Sequence, residues 1–468
     1  MVQDVFGSES KTVLYSYKKS FNGFVVDLTE EEAQKMAVCW SDGCQDADIL
    51  AGFDDAISDG VDIISISLGG GRTRDYFEDA IDIASFHAMK NGILTVSSAG
   101  NEGPGRSTIS NFSPWSLSVA ASTIDRKFST KVQLGNNKIY EGVSINTFDL
   151  KNKTYPMIYG GDAPNTTTTS SRSSRLCFSN SLDKNLVKGK IVLCDTIRTN
   201  GIGALLAGAA GTVARGQDSI DYSSLFPLPA SCFNFVDGRN IFQYVNSSSA
   251  PTATIFRSSE VNDSLAPYII SFSSRGPNPI TPEIIKPDIS APGVHILAAW
   301  SSISPVSLVP GDNRFVTFNI ISGTSMSCPH VSGAAAYVKS FHPTWSPAAI
   351  QSALMTTAAP MSSGINMEAE FAYGSGHLNP LKAANPGLVY DANETDYINF
   401  LCGQGYATRL IQLLSKDNST CPEDTNGTVS ELNYPSFGLS TSPLKPFSRT
   451  FKGPSQTWDL RRRFTELT

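Results

Sequence analysis

Between residues 46 and 122 the sequence alternates helix-period and strand-period segments, and this alternation restricts the fold more than any other feature. Asp46-Ala-Asp48 opens a segment with Ile49, Phe53, Ala56 and Ile57 at helical spacing, and Asp59-Gly60 closes it. VDIISIS at 61–67 reads as a strand. A helix is predicted from Phe77 to Lys90, with Phe77, Ile81, Ala84 and Ala88 along one side and Asn91-Gly92 as its stop. ILTVSS at 93–98 and Leu117 to Ala121 supply two more strands. Strands linked through helices run parallel, and apolar β-branched strands are covered on both faces. The predicted fold class is α/β, with a doubly wound parallel sheet.

From about 127 to 262 the pattern changes to short strands, Gly/Pro turns and a Thr/Ser-rich run at 166–174, which predicts an inserted domain. LVKGKIVLCD at 186–195 reads as a buried strand, and NGIGALLAGAAGTVA at 200–214 as a small-residue helix followed by a strand. The glycine spacing of GIGALLAG is not that of a dinucleotide-binding loop. The α/β pattern resumes after about 265, where Pro287 to Ala291 leads into HILAAW at 295–300. A strand is expected from Phe315 to Ile321, and helices over about 326–341 and from Pro347 to Thr357. Near the N-terminus, Thr12 to Tyr17 and Phe24 to Leu28 read as strands around an Asn22-Gly23 turn. Thr29 is placed to cap a helix that begins Glu30-Glu31-Glu32.

A formal net charge of −7, without long runs, gives no argument for nucleic acid or an anionic membrane surface, both of which need basic patches. No apolar stretch is long enough to span a bilayer. Among the eight cysteines, Cys39 with Cys44, Cys177 with Cys194, and Cys402 with Cys421 are candidate disulfides, with the connectivity open. Sequons occur at Asn111, Asn152, Asn165, Asn246, Asn262, Asn393, Asn418 and Asn426. Beside paired cysteines they point to a secretory history rather than to chance in a Ser/Thr/Asn-rich chain. The opening MVQDVFGSESKTVLYSYKK has no apolar signal-peptide core. That conflict leads to the expectation that the N-terminus is incomplete.

Ser325 stands in GTSMSCPH at 323–330, between the strand-like segment and a helix rich in small residues. A serine at a helix N-terminus meets unpaired backbone N–H groups and the positive end of the dipole. Such a place suits the oxyanion formed when serine attacks a carbonyl. The plainer alternative, a helix cap, fits a bare Gly-Thr-Ser better than this long run.

ISGTSMSCPHVSGAAA at 321–336 resembles the serine signature of subtilases, especially the plant cucumisin-like group. SYKKSFNGFVVDLTEEEAQKMA resembles the end of that family's inhibitory propeptide, giving a remnant over 1–37. VCWSDGCQDADILAGFDDAISDGVDIISISLGG and FSSRGPNPITPEIIKPDISAPGVHILAAW resemble two parts of its catalytic domain, expected at 38–126 and 263–395. YPMIYGGDAP and VKGKIVLCD resemble the protease-associated insertion, expected at 127–262. ELNYPSF resembles the entry to a fibronectin-like β-domain, expected as a partial unit over 430–468. The resemblance implies a serine endopeptidase acting on protein or peptide and an extracellular, cell-wall location; no metal site is readable from the residues, and no cofactor is expected. It assigns Ser325 as nucleophile and Asn101, in SSAGNEGP, as the oxyanion donor; a turn residue is the alternative for Asn101. Ser67, Leu68, Gly69 and Gly70 would form the edge that pairs with substrate backbone, unless they are an ordinary strand end.

The family's mechanism also needs a histidine base and an aspartate to orient it. His87, His295, His330, His342 and His377 are the histidines present, and none lies in an H-G context. Asp42-Gly43, Asp59-Gly60 and Asp237-Gly238 read as turns, and the Asp-rich stretch at 42–62 reads as caps and strand starts rather than a calcium site. The propeptide-like segment ends at Ala37 and the catalytic segment begins at Val38, so the parts that carry Asp and His are expected to be missing between them. An incomplete sheet with exposed edges and an inactive chain are the expected results. A non-catalytic peptide- or partner-binding protein, or a truncated product without function, are the alternatives.

Overall fold

A computed structural model of the chain describes residues 13–17, 23–26, 39–40, 43–69, 73–166, 171–196, 199–216, 220–421 and 431–438. Two hairpins come first: β1 (Val13–Tyr17) with β2 (Gly23–Val26), and β3 (Cys39–Trp40) with β4 (Gly43–Cys44). The helix expected after Thr29 lies outside the described residues, as do Asn22, Asp42, Gly70, Asn426 and the tail beyond residue 438. Helix α1 (Asp46–Ser58), β5 (Ile63–Ile66), α2 (Ala80–Lys90), β6 (Leu94–Ser98) and β7 (Ser116–Ser122) follow in the expected alternation. Next come β8 (Arg126–Leu134), β9 (Ile139–Gly142), β10 (Tyr155–Tyr159), β11 (Ile191–Cys194), β12 (Gly211–Arg215), β13 (Ala230–Phe233), α3 (Phe235–Ser247), β14 (Thr252–Ile255) and β15 (Ser259–Asn262). The chain continues through β16 (Ile289–Pro292), β17 (Ile296–Ala299), β18 (Phe318–Ile321), α4 (Thr324–Phe341), α5 (Pro347–Thr356), α6 (Glu394–Gly403) and α7 (Thr408–Ser415).

Side-chain capping moves three boundaries from where the sequence pattern puts them. Helix α2 begins at Ala80 rather than Phe77, because the Asp79 carboxylate accepts from the N–H groups of Ile81 and Asp82 at 2.8 and 3.3 Å. In LVKGKIVLCD only Ile191–Cys194 is strand; Lys184–Val187 is a helical turn capped by Asp183, and Leu186 is exposed. Asp237-Gly238 is not a turn but part of α3, whose cap Asn234 accepts from the Asp237 N–H at 2.9 Å.

By its internal contacts the chain divides into two units. The first comprises Met1–Ser122, Ser271–Gly293 and Gly323–Thr468. Its described sheet is wholly parallel, in the order β16-β7-β6-β5. Strand alternation sends Ile64 and Ile66 into a cluster with Ile49 and Phe53 of α1 and Ile81, Ala84 and Ala88 of α2. Ile63 turns the other way and joins Leu94, Val96 and the α4 residues Val331, Ala335 and Val338. Both faces are therefore covered. On the side away from β6, β5 has no partner strand among the described residues.

The first unit also buries an ion pair. Lys286 and Asp288 are fully enclosed, with Nζ 2.6 Å from Oδ2; Lys286 donates to the Ser116 carbonyl and Asp288 accepts from the Ser118 N–H. The Tyr434 hydroxyl donates to Asp288 and accepts from Gln351. The segment expected to open a separate β-domain therefore places Leu432 and Tyr434 in this core.

The second unit comprises Thr123–Ile270 and Val294–Ser322. Its eight-stranded sheet runs β13-β12-β11-β10-β14-β8-β15, with β9 also on β8. Strands β10 to β13 are mutually parallel, and the remaining pairings are antiparallel. HILAAW and the strand before Ser325 pair with each other as an antiparallel β17–β18 hairpin in this unit, instead of continuing the parallel sheet. The disulfides join Cys39 to Cys44, Cys177 to Cys194 and Cys402 to Cys421.

Asp82, in the first turn of α2, is fully buried, and one carboxylate oxygen has no hydrogen-bond partner among the described residues. Burial, reinforced by the nearby Asp79, pushes its pKa up to about 7. The unfolded carboxyl ionises near pH 4, so the folded state retains a proton that the unfolded chain has lost, and stability falls as pH rises from about 4 to about 7. Asp82→Asn is expected to flatten that fall while leaving stability at the acidic end nearly unchanged. Urea-unfolding midpoints measured across the range check this.

Candidate active site

The start of α4 is built by close backbone approach. The Gly323 N–H donates to the Gly293 carbonyl at 2.8 Å. A Cβ on Gly293 would lie 2.7 Å from the Ala121 Cβ and 2.9 Å from the Gly323 oxygen, so the contact needs glycine. Thr324 is fully buried, and its N–H and hydroxyl both donate to Asn101 Oδ1, at 2.9 and 3.0 Å. Two donors on one atom identify it as the amide oxygen and turn the Asn101 NH₂ the other way. The Ser325 N–H has no acceptor among the described residues. An amide donor and a backbone donor thus stand unengaged beside Ser325, the combination an oxyanion needs.

Asn101 is held by the loop that follows β6. The Ala99 N–H donates to the Val119 carbonyl, and the Glu102 N–H to Ser274 Oγ. Gly103 lies so close to the chain at Ser273 that a Cβ would sit 2.0 Å from its carbonyl oxygen.

Pro329 lies inside α4 and has no N–H to offer the carbonyl one turn back, that of Ser325. Ser67 Oγ fills the vacancy, donating to the Ser325 carbonyl at 3.1 Å, while Ser325 Oγ donates to the Ser67 carbonyl at 3.4 Å. The half-buried serines therefore exchange hydrogen bonds, and the end of β5 is tied to the nucleophile's helix. Asn111 secures the next residue: its Nδ2 donates to the carbonyls of Leu68 and Ser98, at 2.7 and 2.8 Å. Gly69 packs on Ser110, with 3.2 Å between its hypothetical Cβ and that of Ser110.

Ser325, Asn101, Ser67, Leu68 and Gly69 are thus brought together, and Gly70 lies outside the described residues. The histidines take no part in these contacts. His330 is exposed and its Nδ1 bonds the Met326 carbonyl on its own helix at 2.7 Å. His342 bonds the Ala384 carbonyl and stacks on Trp345. His295 accepts from the Ser223 N–H and faces the Arg126 carbonyl. Burial lowers the pKa of His87 and His377, and the Nε2 of each has no partner among the described residues. None of the five is hydrogen-bonded to Ser325 Oγ.

Two features of the site escape a reading of motifs. Asn111 looks like a glycosylation sequon, yet it is buried, with φ of 54°, and both amide hydrogens are used. The proline inside the serine signature was the one signal for the Ser67 contact, since it leaves a carbonyl in need of a donor. In material from a glycosylating host, peptide mapping is expected to find Asn111 bare in the folded fraction. Asn111→Ala is expected to cost about 1–3 kcal/mol for the carbonyls it strands.

The Subtilase family model matches residues 30–405, and the Peptidase inhibitor I9 model matches residues 1–38. The subtilisin-like protease SBT4.3 of Arabidopsis thaliana is 48% identical over 420 residues, which cover 89% of this chain and 56% of that protein. Subtilisin-like protease SBT4.6 of the same plant is 49% identical over 418 residues, 88% of this chain and 55% of its own. The chain spans about half the length of the curated relatives it matches. Among solved structures, the psychrophilic subtilisin-like protease Apa1 from Pseudoalteromonas sp. AS-11 aligns over 74% of this chain and 75% of its own, with 16% identity and a TM-score of 0.32, too weak a likeness to bear on the fold.

Proposed function

Because the chain belongs to the subtilase family, we propose that its chemistry is that of a serine endopeptidase, with Ser325 as nucleophile and Asn101 as oxyanion donor, and that the chain as it stands lacks the base to run it. The observation that carries this reading is the double hydrogen bond from Thr324 to Asn101 Oδ1, which leaves the amide NH₂ and the Ser325 N–H as a pair of free donors. The same geometry argues against turnover. Ser325 Oγ donates to a carbonyl rather than to an imidazole, so among the described residues no base is hydrogen-bonded to take its proton as it attacks. In subtilisin itself, loss of the histidine alone costs about 10⁶ in kcat, while the oxyanion hole and binding retain about 10³–10⁴ over water.

On this reading residues 1–37 are a remnant of an inhibitory propeptide, 38–126 and 263–395 are parts of the catalytic domain, 127–262 is a protease-associated insertion, and 430–468 begin a fibronectin-like domain. The substrates are proteins or peptides, and the three disulfides suit an extracellular location. A second reading, peptide binding without cleavage, draws support from the Ser67–Gly69 segment, which Asn111 and Ser325 hold in place without any base.

Purified chain is expected to react with a fluorophosphonate probe at least about 10³-fold more slowly than an intact relative, with the slow labelling lost on Ser325→Ala, and to hydrolyse peptides only at a trace rate. Labelling as fast as the relative would overturn the claim that no base is present. Fluorophosphonate labelling that survives Ser325→Ala would overturn the assignment of the nucleophile.

A further inference from the structure

In the second unit, the four parallel strands β10 to β13 end along one edge, and a cavity of about 520 Å³ opens there. The carboxyl ends of parallel strands are where α/β sheets hold ligands, because the following loops diverge and leave a crevice. Tyr159 ends β10, Asp195 follows β11, Arg215 ends β12, and Phe235 opens α3 just after β13. Glycine at 238 lets α3 lie against this edge, since a Cβ there would come within 2.4 Å of the Arg215 Cβ.

The lining interleaves guanidinium groups with aromatic rings. Among the described residues, Arg175, Arg215 and Arg239 share the cavity with one carboxylate, Asp195. Asp195 accepts from Arg215 Nε at 2.6 Å and from the Tyr159 hydroxyl at 2.6 Å, with Arg175 Nε 3.7 Å away. Arg215 engages Asp195 through Nε, and its terminal nitrogens have no partner among the described residues. Its guanidinium lies 4.0 Å from the centre of the Phe242 ring, which fixes its plane. Arg239 projects from α3 with no ion-pair partner among the described residues, and Phe235 beside it is 56% exposed.

We propose that this cavity binds the carboxy-terminal carboxylate of a peptide whose last side chain is apolar. A carboxylate takes two parallel hydrogen bonds from a guanidinium fork, and among the described residues three guanidinium groups against one carboxylate leave positive charge for it to neutralise. The exposed Phe235 ring takes the terminal side chain. The volume suits one or two residues rather than a folded partner. The site is independent of Ser325 chemistry and stands whether or not that serine can be activated.

The test uses the full chain carrying Ser325→Ala, so that turnover plays no part. The probe is N-acetyl-Ala-Ala-Phe with a free carboxylate, titrated calorimetrically beside its C-terminal amide and inorganic phosphate. The free acid is expected to bind at least 10-fold more tightly than the amide. Arg239→Gln is expected to weaken it at least 5-fold with an unchanged unfolding midpoint, and Arg239→Lys to recover part of the loss. Equal binding of acid and amide, no effect of Arg239→Gln, or phosphate binding more tightly than the peptide acid would each overturn the proposal.

Discussion

The seating of α4 on the parallel sheet is the condition for everything at the candidate site. Cys328 Sγ lies 3.6 and 3.3 Å from the carbonyl oxygens of Ile66 and Val96, and Ser332 Oγ donates to Ser65 Oγ at 2.8 Å. Only small side chains permit a helix to touch strand backbone in this way, and interiors packed to this density do not yield to a larger one without strain. Because the helix sits so low, its first turn meets the ends of β5 and β6, where Ser67 and Asn101 emerge. A helix held one side chain further out would keep its serine and lose both partners.

Much of this arrangement was legible from residue patterns. The alternation over 46–122 correctly implied a parallel sheet covered on two faces, because periodicity reports burial and burial decides the layers. The misplaced boundaries share one cause. Phe77 continues the apolar stripe of α2, but a stripe does not reveal that the Asp79 carboxylate satisfies the first free N–H groups. Asp237-Gly238 has turn chemistry, yet Asn234 supplies a cap and the sheet needs a glycine at its surface. Asn111 is the sharpest case: a three-residue pattern suggested exposure, while its amide bridges two carbonyls in the interior. Short motifs describe what a residue could do alone, and these residues act through partners far away in the chain.

The first unit combines a well-buried interior with a sheet edge at β5. Lys286, Asp288 and Tyr434 satisfy one another in full enclosure, and removing one partner from such a set leaves a buried charge uncompensated. This network draws the 431–438 segment into the core, so the segment contributes to the unit's integrity rather than merely leading out of it. Beside this, β5 presents backbone groups without a described partner strand. Such an edge is a template for pairing with another extended chain.

Pro329 carries an implication for sequence variation. Its missing N–H creates a vacancy that a hydroxyl 262 positions away fills. Residues 67 and 329 are therefore one unit of selection. A chain with an ordinary helix former at 329 satisfies the Ser325 carbonyl within the helix and is released from needing a hydroxyl at 67, whereas proline at 329 with alanine at 67 leaves the carbonyl without a donor. Among related sequences, proline at 329 should not be found with a residue at 67 that lacks a hydroxyl.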